Sequence, residues 1–498
     1  MPTLSFPNLL LNRLRTAQAT HPGRFRLGFL GLLAIVLVVM SLQYLAKVAK
    51  PGDSGQQTRS AFLRWRAMIR NVFDGINVYT GLNEYPNPPI MAIVLRPFAE
   101  LPPVVGAMAW FYAKVAMAAS AAIWIFRLIQ PSPGAPKHDE EGNSANAASE
   151  RVRRSSNPPV TLSDPAKAVA ILLALPALMG DLSHNNVNIF ILFLLAGCLE
   201  LYRRGFDTLA GFVLGLSIAC KVTPLLFLAY FGWKRAWRVV GGCLAGLALW
   251  LAIVPGFTFG WNQNAQLLTD WYKLMIERPI LKGEITTEHA NQAIPGFIYR
   301  LFTHSPSFID YIDLGPDVKI PHPAAYHNIA DIGSPAAWWV VKGITAAFAL
   351  AVILLCRAPR TERQGWRFAA ECGLIVLGML LLSERTWKHH AVTLLLPAAT
   401  LAYAVSLDLP ERLRKFIIGI LAVAWFSMTF PGLFGSYVGD LAMVYGVHTV
   451  AFLLLTAGVC ALLIHGRKVR TLSNSDDNLC GLGRRDGLDK ITGEANLP

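Results

Sequence analysis

The sequence predicts an all-α polytopic membrane protein: a bundle of about twelve transmembrane or half-membrane helices with interfacial helices in its outer loops. Three observations predict it. Of 498 residues, 54% are hydrophobic and 15% charged, against about 25% charged in soluble domains, and the mean hydropathy is +0.42. Several apolar runs reach the roughly 20 residues that a bilayer core requires. The basic residues sit mostly in short loops between those runs, which is the positive-inside pattern. A net charge of +14 so distributed does not make a nucleic-acid-binding face.

Taken in order, residues 1–27 form a basic cytoplasmic segment carrying Arg13, Arg15, Arg24 and Arg26. The run LGFLGLLAIVLVVMSLQYLAK, 28–48, is too long for a signal-peptide core and lacks a small-residue cleavage site. It is expected to stay as an anchor. Further spans fall near 104–128, 166–182, 187–202, 208–220, 222–233, 239–257, 337–356, 367–383, 390–406, 415–431 and 443–465. The runs 166–182, 208–220 and 222–233 fit half-helices or a re-entrant pair as well as full spans.

This layout puts both termini in the cytoplasm of a multi-pass plasma-membrane protein. Arg203/Arg204, Lys234/Arg235/Arg238, Arg357/Arg360/Arg363 and Arg412/Arg414/Lys415 then lie on the inner face, with Arg467, Lys468 and Arg470 just past the last span.

The organisation that follows is 28–130 for the first two spans with an outer loop at 50–103, and 166–257 for a membrane core. An outer loop covers 258–336 and C-terminal spans cover 337–466. Residues 131–165 and the tail 467–498 are polar, without apolar periodicity, and read as disordered cytoplasmic segments. Gly242 and Gly246 make a GxxxG pair suited to close helix packing. Six of the seven cysteines lie in or beside apolar runs and none forms a CxxC pair, so no disulfide framework or thiolate metal site is expected.

The outer face carries the chemistry. RSAFLRWRAMIR, 59–70, sets Phe62, Trp65, Met68 and Ile69 near one face and arginines over the rest. It reads as an interfacial helix whose arginines grip lipid headgroups or a lipid phosphate. YPNPP, 85–89, ends that segment in a rigid turn. MGDLSHNNVN, 179–188, places Asp181, His184, Asn185, Asn186 and Asn188 at the mouth of two apolar runs, facing a cavity or a solvated hairpin. Lys221 stands within the apolar stretch LGLSIACKVTPLLFLAYF, 214–231. A lysine there costs at least about 2.5–3.5 kcal/mol unless paired or hydrated. Either the chain breaks at Lys221–Pro224 or the ammonium meets an anionic ligand.

LLLSERTWKHHAV, 380–392, holds more charge than a turn needs. His389 and His390 are adjacent and must diverge, one inward and one along the interface. No HxxxH or HxxE partner supports a metal, so sugar or proton contact is expected of them. No Walker loop or dinucleotide fingerprint appears, and neither cofactor nor metal is expected.

These segments resemble glycosyltransferase family 87. The resemblance rests on an acidic residue just past the first span, Gly75–Tyr79, YPNPP and LRPFAELPP. It continues through LAGFVLGLSIACKVTPLLFLAYF (209–231), HANQAIPGFIYRLF (289–302) and SERTWKHHAVTLLLP. The family implies a GT-C fold and transfer of mannose from a polyprenyl-phosphate sugar to a lipid or glycan acceptor, at the extracytoplasmic face. It implies a first-loop carboxylate as general base. That maps onto Asp53, with Asp74 as the second carboxylate available. Asp181, His184, Asn185, Lys221, Asn291, Arg300, Lys388, His389 and His390 are then the substrate-binding candidates. Membrane lipids are expected partners and nucleic acid is not. A flippase of a lipid-linked sugar is the alternative, although the paired halves of such transporters are not seen.

Overall fold

The computed structural model describes residues 22–49, 60–80, 85–130, 161–313 and 319–485. It is mainly helical. Helices α1 (Pro22–Ala49), α2 (Ala61–Phe73), α3 (Pro89–Ala99), α4 (Pro103–Ile129), α5 (Asp164–His184) and α6 (Asn188–Arg203) come first. Next are α7 (Asp207–Cys220), α8 (Leu225–Trp233), α9 (Trp237–Phe259), α10 (Trp261–Tyr272) and α11 (Ile294–Phe302). After a β hairpin follow α12 (Ser334–Leu355), α13 (Trp366–Leu381), α14 (Leu395–Ala404), α15 (Glu411–Leu433), α16 (Gly435–Val444) and α17 (Val447–Arg485).

Each expected apolar run is a helix. Seven of them, among the described residues, are long and apolar enough to cross a membrane: α1, α4, α5, α9, α12, α15 and the first part of α17. The protein is therefore a multi-pass membrane protein. Leu27, Leu30, Ile35 and Leu42 of α1, and Trp339 and Leu350 of α12, face outward, as lipid-facing positions require.

The runs that are shorter helices do a different job. Every residue of α13 from Phe368 and every residue of α14 is buried. A helix apolar on all sides is covered either by lipid or by other helices; these two are covered by other helices and form the centre of the bundle.

Two helices meet through glycine. A Cβ on Gly211 of α7 would lie 2.1 Å from the Val239 carbonyl of α9, and one on Gly242 would lie 2.2 Å from the Thr208 carbonyl. Gly215 and Gly246 continue the contact, so the GxxxG pair does bring backbones together. Within α9, Pro255 cannot donate to the Leu251 carbonyl. The helix widens into a π turn at Ala248–Ile253, and the Asn264 amide donates to that carbonyl instead at 3.0 Å.

The basic loops gather at one end. Glu200 pairs with Arg203 and Arg204, both at 2.7 Å, Asp207 with Arg363, and Glu371 with Lys234 at 2.6 Å. Arg467 donates to the Leu354 carbonyl. The polar turns at 183–188 and 383–388 lie at the other ends of the same helices.

The outer segment 258–336 departs from the all-helical expectation. Strands β1 (Pro306–Asp313) and β2 (Lys319–Tyr326) pair antiparallel, with register irregularities between Pro306 and Ile309. Pro306, Pro321 and Pro323 fall within these strands, although proline cannot donate to a ladder. A lone two-stranded pair has free edges on both sides and accommodates them. Two further differences follow. The stretch between the expected spans 415–431 and 443–465 is largely α16, and α17 continues to Arg485 although the tail 467–498 was expected to be irregular.

Candidate active site

The turn 179–188 is built by α5 ending and α6 starting. Asn185 takes the left-handed conformation (φ 53°, ψ 44°) after the last turn of α5, a conformation that asparagine tolerates. Its amide donates to the Tyr44 hydroxyl at 2.7 Å and the Ala107 carbonyl at 3.0 Å. The Tyr44 hydroxyl lies 2.9 Å from Ser60 Oγ, and Lys47 donates to the Ser183 carbonyl at 2.6 Å. The chain on both sides of 50–59 is thereby tied to 183–185. Asp53 itself lies outside the described residues. Asp74 is exposed at the C-terminus of α2.

Asp181 is fully buried. Its carboxylate forms an ion pair with Lys114 of α4 at 3.0 Å, and Lys114 also donates to the Asp181 carbonyl at 2.9 Å. The Asn188 backbone N–H (3.2 Å) and side-chain amide (3.0 Å) both donate to Asp181 Oδ1. Lys221 then donates to Asn188 Oδ1 at 2.6 Å. Among the described residues, Asp181 is linked by hydrogen bonds to Lys221 through Asn188.

The break expected at Lys221–Pro224 is present, since α7 ends at Cys220 and α8 begins at Leu225. There Lys221 lines a pocket with Asn188, Thr223, Ser383, Thr386, His390 and Thr393. Thr393 Oγ1 is buried and has no hydrogen-bond partner among the described residues.

SERTWKHH joins the two central helices, α13 and α14. Its backbone is fastened from the outer segment: Asn291 donates to the Glu384 carbonyl at 2.9 Å and accepts from the Thr386 N–H at 2.9 Å. The Gln292 N–H donates to the Thr386 carbonyl at 2.7 Å. A 3₁₀ turn at Lys388–Leu394 then sends the two histidines apart, their rings at 89° and 4.8 Å between centroids.

His389 is buried. The Asn186 amide nitrogen lies 3.2 Å from its Nε2, and that amide is oriented by the Val187 N–H donating to Asn186 Oδ1 at 2.7 Å. An amide nitrogen only donates, so Nε2 accepts and the ring is neutral. Burial pulls the His389 imidazole down to about 3, with Asp181 opposing. His390 faces the pocket instead. The expectation of one inward and one interfacial ring therefore becomes two polar environments: one toward α5, one toward Lys221.

The remaining candidates separate. His184 is exposed and packs its ring 5.3 Å from that of His389. Lys388 is half-buried and has no hydrogen-bond or ion-pair partner among the described residues. Arg300 is fully buried away from the pocket, and its guanidinium donates to the carbonyls of Val444, Thr287, Glu288, Asn291 and Met443. Asn291 and Arg300 thus hold the outer segment against SERTWKHH. Lys114 was overlooked in the sequence, although its signal was that of Lys221: one lysine inside an apolar run, WFYAKVAMAAS.

Among the described residues no three His, Cys, Asp or Glu side chains converge as a metal site would need. The fold and site define a class of protein: a multi-pass membrane bundle with cations, hydroxyls and imidazoles gathered around one pocket.

The comparisons make the class specific. The family model "Glycosyltransferase family 87" matches residues 85–383, more than half of the chain, and the protein belongs to glycosyltransferase family 87. It is a membrane glycosyltransferase. Two crystal structures of ArnT from Cupriavidus metallidurans are similar at 12% identity. The form bound to undecaprenyl phosphate has a TM-score of 0.33, covering 88% of this chain and 78% of that one. The apo form has a TM-score of 0.35, covering 89% and 78%. No curated protein matches the chain.

Proposed function

We propose that the protein transfers a hexose, mannose, from a polyprenyl-phosphate sugar to an acceptor hydroxyl on a lipid or glycan, at the extracytoplasmic face of the plasma membrane. The observation that carries the reading is a pocket of Lys221, His390 and hydroxyls beside the turn 183–188, to which the residues flanking segment 50–59 are tied. Family membership supports the chemistry, and the gathering of basic loops at the far end of the bundle supports cytoplasmic termini.

In this reading Asp53 removes the proton of the acceptor hydroxyl. The freed oxygen attacks the anomeric carbon, and the bond from that carbon to the phosphate oxygen breaks with inversion. Polyprenyl phosphate leaves with the bonding electrons. General-base assistance supplies about 10²–10⁴-fold. Lys221, with Lys388 and His390, faces the sugar phosphate, where fixed cations stabilise the charge that develops on the leaving group. His184, at the exposed side of the cluster, contacts the acceptor in this reading. Asp181, Asn185, Asn291 and Arg300 support these groups from behind.

The test is transfer in liposomes from polyprenyl-phosphate mannose, with product read by mass spectrometry. Asp53→Asn is expected to abolish transfer while the purified protein keeps its elution profile and thermal midpoint. Full activity in Asp53→Asn moves the base elsewhere, with Asp74→Asn the next variant. Lipid movement across the bilayer without covalent transfer by the wild type overturns the reading in favour of a flippase.

A further inference from the structure

Lys114, Asp181, Asn188 and Lys221 come from α4, α5, α6 and the α7–α8 junction, and they form one continuous chain of contacts. Lys114 and Asp181 have no side-chain exposure. A buried carboxylate without a partner is costly and attracts the nearest cation. With Lys114 absent, the next ammonium along these contacts is Lys221, separated from the carboxylate by Asn188 alone, while the other group beside Asp181, His389, is a neutral ring. With Lys114 present, the Asp181 charge is neutralised from behind. Lys221 then bonds only the neutral carbonyl of Asn188. A lysine ammonium has three donors, so two are left for the pocket.

We propose that Lys114 is a positioning residue: by neutralising Asp181 it keeps the Lys221 ammonium on Asn188 and turned into the pocket, toward the phosphate of a lipid-linked sugar. The proposal rests on the glycosyl-transfer reading for its ligand, but the placement of Lys221 can be measured without any transfer. The Lys114–Asp181 pair itself never meets substrate. Its effect is to set the direction in which one cation points.

The experiment measures two quantities on detergent-purified full-length protein: sugar transfer, and the rate at which acetic anhydride acetylates Lys221, read by mass spectrometry. In Lys114→Met, Lys221 is drawn onto the Asp181 carboxylate. Its acetylation slows several-fold and transfer falls by about ten- to a hundredfold, the loss that a misplaced reacting group produces. Lys114→Gln keeps a donor toward Asp181 without the charge. It gives the same direction of change and covers the case in which methionine prevents folding. The double variant Lys114→Met/Asp181→Asn removes both charges, and both quantities return to within a few-fold of wild type. A pair that only held the fold would also let transfer recover in the double variant, but it would leave Lys221 acetylation unchanged in all three variants.

Unchanged Lys221 acetylation in folded Lys114→Met and Lys114→Gln overturns the proposal, as does a double variant no better than the single one. If the wild type transfers no sugar while acetylation follows the predicted order, the positioning role stands and the functional reading falls.

Discussion

Arg300→Met separates a scaffold from a substrate contact. The wild-type guanidinium donates to Val444 and Asn291 at 2.9 Å, to Glu288 at 3.0 Å, and to Thr287 and Met443 at 3.3 Å. Burial pulls it down to about 10, so it remains charged at neutral pH. Methionine fills much of the volume and serves none of the carbonyls. Each buried carbonyl left without a donor costs about 1–3 kcal/mol. The two shortest bonds alone therefore imply roughly 2 kcal/mol or more. Relief of the guanidinium's own desolvation keeps the total below the simple sum of five, at about 3–5 kcal/mol.

The assay is a thermal midpoint in detergent, alongside KM for the lipid-linked sugar. A clear drop in the midpoint is expected for Arg300→Met. Arg300→Lys should fall between, since one ammonium cannot span acceptors from both 287–291 and 443–444. In the protein that stays folded, KM is expected to be near that of wild type. An unchanged midpoint together with lost donor binding would refute the reasoning and put Arg300 on the substrate.

Three further outcomes accompany that one and those given above for Asp53 and Lys114. Gly211→Ala puts a methyl 2.1 Å from the Val239 carbonyl, so α7 and α9 must part at a cost of about 1–3 kcal/mol and Lys221, one residue past α7, shifts with them. Gly241→Ala, where nothing lies within 4 Å, is the control and is expected to be neutral or slightly stabilising by thermal midpoint. His389 is held near 3 against an ordinary 6.5, so the folded state binds fewer protons than the unfolded chain below 6.5. The stability tied to its neutral form is complete above 6.5 and declines as pH falls toward 3, by up to about 1.4 kcal/mol per unit. His389→Gln should flatten the fall in thermal midpoint between about pH 7 and 5, and an unchanged slope would show that the ring is not held neutral.

The helical scaffold was legible because a membrane imposes length and apolarity on each span. All twelve expected runs are helices, and the glycine pair 242–246 does mark a close approach. Which of those helices is enclosed by others was not legible. The runs of α12 and α14 are both apolar, yet Ala337 is buried in the first and every residue in the second. Composition cannot distinguish lipid from protein as the apolar neighbour. The hairpin 306–326 escaped because its prolines are tolerated only where a strand pair has free edges, a fact of topology.

For the site, sequence alone determined the inventory: a lysine inside an apolar run at 221, a polar turn at 181–188, and too much chemistry at 383–390. It also determined the family, through motifs that need no geometry to recognise. Only the tertiary structure decided each side chain's partners. It took Asp181 out of the pocket by pairing it with Lys114, sixty-seven positions away. It set Arg300 on five carbonyls and turned His389 and His390 to different partners. Such pairings depend on what lies within about 3 Å of a side chain, and in a bundle those neighbours come from helices far apart in the chain.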